Sequence, residues 1–201
     1  MSRERLGIYG GTFDPPHIGH LILATEACVD LQFDRLLWVL TPVPPHKLDH
    51  PITPVEHRQA MLEFAISEEP HFELSRIEMD RPGPHYTVDT MRLLADQHPS
   101  ADLILLIGGD SLRDLPSWHR PADLVAACHE IGVIRRPGDL VDLSEWEGQV
   151  PGTQAKVRFI DAPLLDISSS AIRRRIRENL PFRYYLSPSV YDYIQKKQLY
   201  R

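Results

Sequence analysis

Gly10-Gly11-Thr12-Phe13-Asp14-Pro15-Pro16-His17-Ile18-Gly19-His20 follows the apolar run Leu6–Tyr9 and leads into a stretch whose apolar residues recur at helical spacing. The order is strand, glycine-rich turn, helix. Glycines let a backbone come close to a phosphate, and a helix start offers unpaired N–H groups and a partial positive charge. The segment fits neither the GxGxxG dinucleotide fingerprint nor the GxxxxGK[ST] phosphate loop. His17 and His20 stand about one helical turn apart, with the small Gly19 leaving room between them. Two imidazoles at this spacing are also candidate zinc ligands, but no third His, Cys or acid lies at a supporting spacing, so no metal-ligand set is expected.

The same order repeats outward from this stretch. Further strands are expected at Leu36–Leu40, Phe72–Met79, Leu103–Ile107, Ile131–Ile134 and Val157–Ile160, most of them continuous in apolar residues, as strands covered on both faces are. Phe72–Met79 alternates more and belongs nearer an edge. The first helix is expected to bury Ile18, Leu21, Ile22, Thr25, Cys28 and Val29. Thr53-Pro54-Val55-Glu56 has the form of a capping box with proline at the first helical position. Val88, Met91, Leu94 and Ala95 mark a third helix, Ser168 or Ser169 opens one that runs to Arg177, and Ser187-Pro188 opens the last, with Val190, Tyr193 and Ile194 inward. This predicts an α/β fold with a doubly wound parallel sheet and right-handed crossovers. Ligands in such sheets bind outside the carboxyl ends of the strands. The unusual segments fall there: Gly10–His20, Pro42–Lys47, Gly83–Thr87, Gly108–Ser111, Arg135–Gly138 and Asp166–Arg173.

The 201 residues, 42% hydrophobic and 25% charged, suit one packed domain of residues 1–201 with a C-terminal helical part over about 168–201. Cys28 and Cys128 are 100 positions apart and form no CxxC pair, which excludes a disulfide scaffold and fits a reducing cytoplasm. No apolar run approaches the ~20 residues of a membrane span, and Met1–Arg5 has no leader-like pattern, so neither membrane nor secretion is expected. The net charge of −6 argues against broad nucleic-acid binding. It hides an asymmetry, because residues 168–201 hold eight Lys/Arg against two Asp/Glu, and residues 1–167 hold 14 against 26.

A second anchor lies in that basic part. Ile167-Ser168-Ser169-Ser170-Ala171-Ile172-Arg173 puts hydroxyls at a helix start and a guanidinium fork one turn in, which together suit phosphate oxygens. For Arg174, Arg175 and Arg177 a solvated face is the better reading for at least two.

GGTFDPPHIGH resembles the signature of the HxGH nucleotidyltransferase superfamily, and ISSSAIR resembles its ISSTxIR motif, with Ser170 at the common threonine. Pro42-Val43-Pro44-Pro45-His46-Lys47, Gly83-Pro84-His85-Tyr86-Thr87-Val88-Asp89-Thr90, Ile107-Gly108-Gly109-Asp110-Ser111-Leu112, Pro116-Ser117-Trp118 and Arg136-Pro137-Gly138 together look like bacterial nicotinate-nucleotide adenylyltransferases. His85 stands where that family more often has serine.

The resemblance implies a Rossmann-like nucleotidyltransferase fold and a reaction in which the 5′-phosphate of nicotinate mononucleotide attacks the α-phosphorus of ATP, with Mg²⁺, releasing pyrophosphate. It implies small-molecule partners, ATP and nicotinate mononucleotide, and no nucleic acid. By resemblance His17, His20, Lys47 and Arg173 are the catalytic candidates. Gly10, Gly11, Thr12, Phe13, Gly108, Asp110, Arg136, Ser168 and Ser169 join them around ATP. Thr12, Lys47, Tyr86, Thr87, Asp110, Trp118 and His119 are expected around the acceptor. A phosphate monoester with a second pKa near ~6 is already largely deprotonated at neutral pH, so no dedicated general base is needed. Two alternatives stay open at this point: a related nucleotidyltransferase with another phosphate acceptor, and a silent nucleotide sensor that uses the basic segment Arg173 to Arg201 to bind nucleic acid or a protein.

Overall fold

In a computed structural model, residues 3–44, 52–135, 143–163 and 165–201 are described. Six parallel strands, β1 (Glu4–Gly11), β2 (Arg35–Leu40), β3 (Phe72–Ser75), β4 (Ala101–Gly108), β5 (Glu130–Arg135) and β6 (Val157–Asp161), form one sheet in the order β3-β2-β1-β4-β5-β6. The intervening helices are α1 (Ile18–Leu31), α2 (Val55–Ile66), α3 (Thr87–Gln97), α4 (Gly109–Asp114), α5 (Pro121–Ala127) and the short α6 (Ser144–Glu147) and α7 (Thr153–Lys156). After β6 come α8 (Ser169–Arg177) and α9 (Pro188–Lys197). The doubly wound α/β expectation holds, and the strand order reverses between β1 and β4, where such sheets open a crevice.

The apolar runs are continuous because successive side chains of each strand enter different cores. Leu37 and Val39 of β2 join Leu105, Ile107, Met91 and Leu124 on one face. Leu36, Trp38 and Leu40 join Leu106, Ile160, Ala27 and Leu62 on the other. A third cluster sets Met61 of α2 against Ile172, Ile176, Val190 and Ile194, so α8 and α9 lean on α2. Among the described residues no helix is long and apolar enough to cross a membrane.

Several local expectations are corrected. α1 buries Gly19, Ala24, Ala27 and Leu31, while Val29 is 71% exposed, Thr25 is exposed and Cys28 only half-buried. The helix is rotated from its most apolar stripe because the two alanines let its backbone approach the sheet closely. Thr53 does not cap α2; Pro54 is the N-cap residue with no side-chain cap, and Thr53 instead donates its N–H to Asp14 Oδ2 (3.2 Å) and gives its carbonyl to Arg58. β3 ends at Ser75, where Ile77 N donates to Ser75 Oγ and the chain turns away. It is an edge strand, as its alternation suggested. Ala95 of α3 faces outward.

Candidate active site

The glycine-rich turn after β1 is fixed before any ligand arrives. His17 is the N-cap of α1, and its Nδ1 accepts from His20 N (3.3 Å), while His20 Nδ1 accepts from His17 N (3.2 Å). This reciprocal capping box, made by two histidines, stacks the rings 3.6 Å apart at 24°. With both Nδ1 atoms accepting, the neutral rings carry their protons on Nε2, so each presents one N–H donor outward. Burial pushes the His17 imidazole down to about 4, and it holds His20 well below its ordinary value with help from neighbouring His17. Both are therefore neutral donors at pH 7, not the cations that phosphate chemistry first suggests. Gly19 gives this stack room, since a Cβ there would lie 3.0 Å from His17 Nδ1 and press on the ring.

The Phe13 ring is buried against Tyr9, His20 and Trp38. The left-handed backbone of Phe13, φ 45°, bends the loop. A Cβ on Gly10 or Gly108 would meet nothing within 4 Å. These glycines, at the ends of adjacent strands, keep the crevice open to a close-approaching ligand.

α8 closes the site from the other side. Ser168 caps it through Ala171 N (3.2 Å) and touches the Ser170 hydroxyl. Ser169 Oγ donates to Pro15 O (2.8 Å), and Arg173 Nη1 donates to Asp14 O (2.7 Å). The two sequence anchors, some 150 residues apart, are thus hydrogen-bonded to each other. Neither α1 nor α8 has an acid in its first turn, which leaves both N-terminal dipoles free for an anion.

On the far side of β1 a cleft of about 680 Å³ is walled by Gly10, Gly11, Thr12 and Gly108, and by Tyr86, Thr87, Trp118 and His119. Tyr86 and His119 stack at 4.0 Å and 22°, and Trp118 packs half-buried on the core. Thr87 is the first residue of α3, so its N–H makes no intrahelical bond. His85 is buried, and burial lowers its imidazole below the ordinary value while Glu78 opposes that shift. Asp110 lies in the first turn of α4 with its carboxylate paired to Arg113, and the wall there is formed by Ser111 and Asp114. Lys47 and Arg136 lie outside the described residues.

Sequence reasoning missed Arg58, which is 1% exposed and bonds four carbonyls, those of Thr12, Thr41, Pro42 and Thr53, at 2.7–2.9 Å. It ties the turns after β1 and β2 to the start of α2. Its signal was present: Arg58 shares the i, i+3, i+4 buried stripe with Met61 and Leu62. Glu78 and Thr90, bonded at 2.6 Å, were also missed in the cleft wall.

The cytidylyltransferase-like family matches residues 8–175. A probable nicotinate-nucleotide adenylyltransferase of Thermomicrobium roseum is 46% identical over 98% of this chain and 92% of its own length. One of Bacillus pumilus, described in the same words, is 41% identical over 98% of both. Among solved structures, the Plasmodium falciparum nicotinic acid mononucleotide adenylyltransferase complexed with NaAD superposes with a TM-score of 0.80 at 24% identity, covering 98% of this chain and 97% of that one, a likeness of fold. From identity at this level across almost the whole sequence, the chain belongs to the nicotinate-nucleotide adenylyltransferases of the cytidylyltransferase-like family.

Proposed function

We propose that this single-domain protein transfers the adenylyl group of ATP to nicotinate mononucleotide in the cytoplasm. A 5′-phosphate oxygen of the acceptor forms a bond to the α-phosphorus, the bond from that phosphorus to the bridging oxygen breaks, and pyrophosphate leaves. The products are nicotinate adenine dinucleotide and pyrophosphate. The observation that carries this reading is the reciprocal His17–His20 cap, which leaves two neutral Nε2–H donors at an acid-free helix start beside a cleft walled by Tyr86, Thr87 and Trp118.

Each half of the site has a task. His17 and His20 donate to the α-phosphoryl oxygens, where charge builds in the transition state, and preorganised donors there cost no reorganisation. Ser168, Ser169, Arg173 and the α8 amides hold the β- and γ-phosphates, with Arg173 Nε and Nη2 making no hydrogen bond among the described residues. Gly10, Gly11, Thr12 and Gly108 let the nucleotide lie against the strand ends, and Asp110 is the candidate for ribose hydroxyls by exchange from Arg113. Lys47 and Arg136 are proposed on sequence resemblance alone, at the reacting phosphates and near adenine. Trp118 stacks on the pyridine ring, with Tyr86 and His119 beside it, and the Thr87 hydroxyl and N–H receive the carboxylate. Mg²⁺ is proposed on the resemblance alone, as the ATP complex; the groups assigned to the phosphates, His17, His20, Ser168, Ser169 and Arg173, are N–H and O–H donors that would hold the phosphate oxygens.

Pyrophosphate release from ATP is the test, with nicotinate and nicotinamide mononucleotides compared side by side. Faster release with the nicotinate form is expected. Equal rates would overturn the carboxylate assignment, and no release with either would overturn the function.

A further inference from the structure

Tyr200 returns to the glycine-rich turn from 186 residues away. Its hydroxyl donates to Asp14 Oδ1 at 2.7 Å and lies 3.9 Å from Met61 Sδ. Asp14 is 5% exposed, and its other carboxylate oxygen accepts the Thr53 N–H. The chain adopts left-handed backbone at two non-glycine residues to get there, Gln198 at φ 53° and Tyr200 at φ 66°. Such conformations cost on the order of 1 kcal/mol each and persist where surrounding contacts hold them. Burial, with the Asp14 charge next, pushes the Tyr200 phenol far up, so it remains a donor.

Two other ties on this turn have a second use. Ser169 holds Pro15 O and Arg173 holds Asp14 O in the ligand-free protein. A serine hydroxyl has one proton, so Ser169 loses Pro15 when it donates to a phosphate, and Arg173 divides its donors between loop and nucleotide. Tyr200 and the Thr53 N–H face no such competition.

We propose that Tyr200 is a positioning residue: through Asp14 it holds the turn that sets His17 and His20, and it does so in the nucleotide-loaded state. The proposal rests on the reading of these histidines as α-phosphate donors. Tyr200→Phe keeps the packing and removes the donor. The matched control is Tyr193→Phe, whose hydroxyl meets His57 Nδ1 at 2.9 Å in the same α2–α9 packing, away from the turn. Measurements are kcat and KM at 25 °C, thermal midpoint, and ¹⁵N imidazole spectra of His17 and His20. Tyr200→Phe is expected to lower kcat on the order of tenfold, as partial misplacement of catalytic donors does, with acceptor KM within twofold. Tyr193→Phe is expected to retain kcat, with the His17 and His20 signals moving only in Tyr200→Phe. Equal kcat in the two variants would overturn the proposal. Asp14→Asn leaves one carbonyl oxygen for two donors, the Tyr200 hydroxyl and the Thr53 N–H, so its kcat is expected to fall as well; wild-type kcat there would also count against the proposal. If wild-type protein releases no pyrophosphate, the function fails by itself, and unshifted His17 and His20 signals in Tyr200→Phe would separately remove the strut.

Discussion

On the β1–α1 side of the crevice, His17 and His20 are locked by each other's backbone N–H groups, by ring stacking and by the Phe13 edge. On the α3–α5 side, Tyr86, Trp118 and His119 are held by stacking and apolar packing, and no side chain caps α3. The dipoles differ too. α1 and α8 begin without an acid, while α2, α3, α4 and α5 begin with Glu56, Asp89, Asp110 and Asp123. A helix that supplies its own carboxylate has its N-terminal charge partly answered, so an anion at α3 depends on directed N–H and O–H groups more than on field. In the proposed reading, the hydrogen-bonded half meets the charge that develops, and the packed wall selects what docks. Changes in the first should alter turnover, and changes in the second should alter acceptor affinity.

The largest test of that division is His20→Ala. Losing one preorganised donor at a developing charge costs about 10²–10³-fold in rate, so kcat should fall by that factor. ATP affinity, measured by direct titration, should change far less. A variant with near-normal turnover would remove the functional contrast between the two halves.

Next in size is the acid response of the locked half. His17 folds with its imidazole lowered to about 4, below the ordinary value of 6.5. Below 6.5 the unfolded chain binds a proton that the folded chain refuses, so stability falls as pH drops from about 6.5 towards 4 and levels off below. A shift of this size corresponds to roughly 3 kcal/mol. Urea midpoints across that range should show the loss in wild type and a shallower loss in His17→Asn, which keeps an N-cap acceptor and removes the titrating ring. Parallel curves would mean that His17 is not buried neutral.

How much of this was readable beforehand follows the same division. The locked half is written in one continuous stretch, Gly10–His20, with its second piece at Ser168–Arg173, because a strand-to-helix turn and a helix start are local structures. Even so, the sequence does not tell the charge of His17 and His20, and only burial shows the imidazoles to be neutral. The partners of the braces behind that half were not readable, although the inward position of Arg58 was. Arg58 joins carbonyls up to 46 residues away and Tyr200 reaches across 186, and such pairings follow from chain closure, not from a local pattern. The α1 stripe misled for a related reason. Ala24 and Ala27 rank low in hydrophobicity, yet close packing against the sheet favours small side chains over the larger Val29.

The selecting half is tested by Trp118→Ala. An aromatic stack is worth about 0.5–1.5 kcal/mol beyond its buried area, so KM for nicotinate mononucleotide should rise about tenfold with kcat within a few-fold. A fall in kcat as large as that of His20→Ala would mean that the cleft wall also sets the reacting geometry.

The smallest effect is expected from Arg174→Ala combined with Arg177→Ala. Both side chains lie on the exposed face of α8, whereas Arg175 is tied to Pro181 O at 2.7 Å and stacks over Tyr185. Exposed charges act through water and are screened within about 8 Å at physiological salt, so kcat/KM should change less than twofold. The pair also decides the meaning of the +6 carried by residues 168–201. A nucleic-acid sensor would use these exposed guanidiniums on phosphates, and its binding would fall steeply with salt and weaken in the double variant. Salt-dependent DNA binding by the wild-type protein, lost in the variant, would support that sensor. If turnover is retained and the wild-type protein shows no such binding, the useful positive charge of α8 is confined to its first turn and Arg173, where two anchors meet and where the locked half of the site is completed.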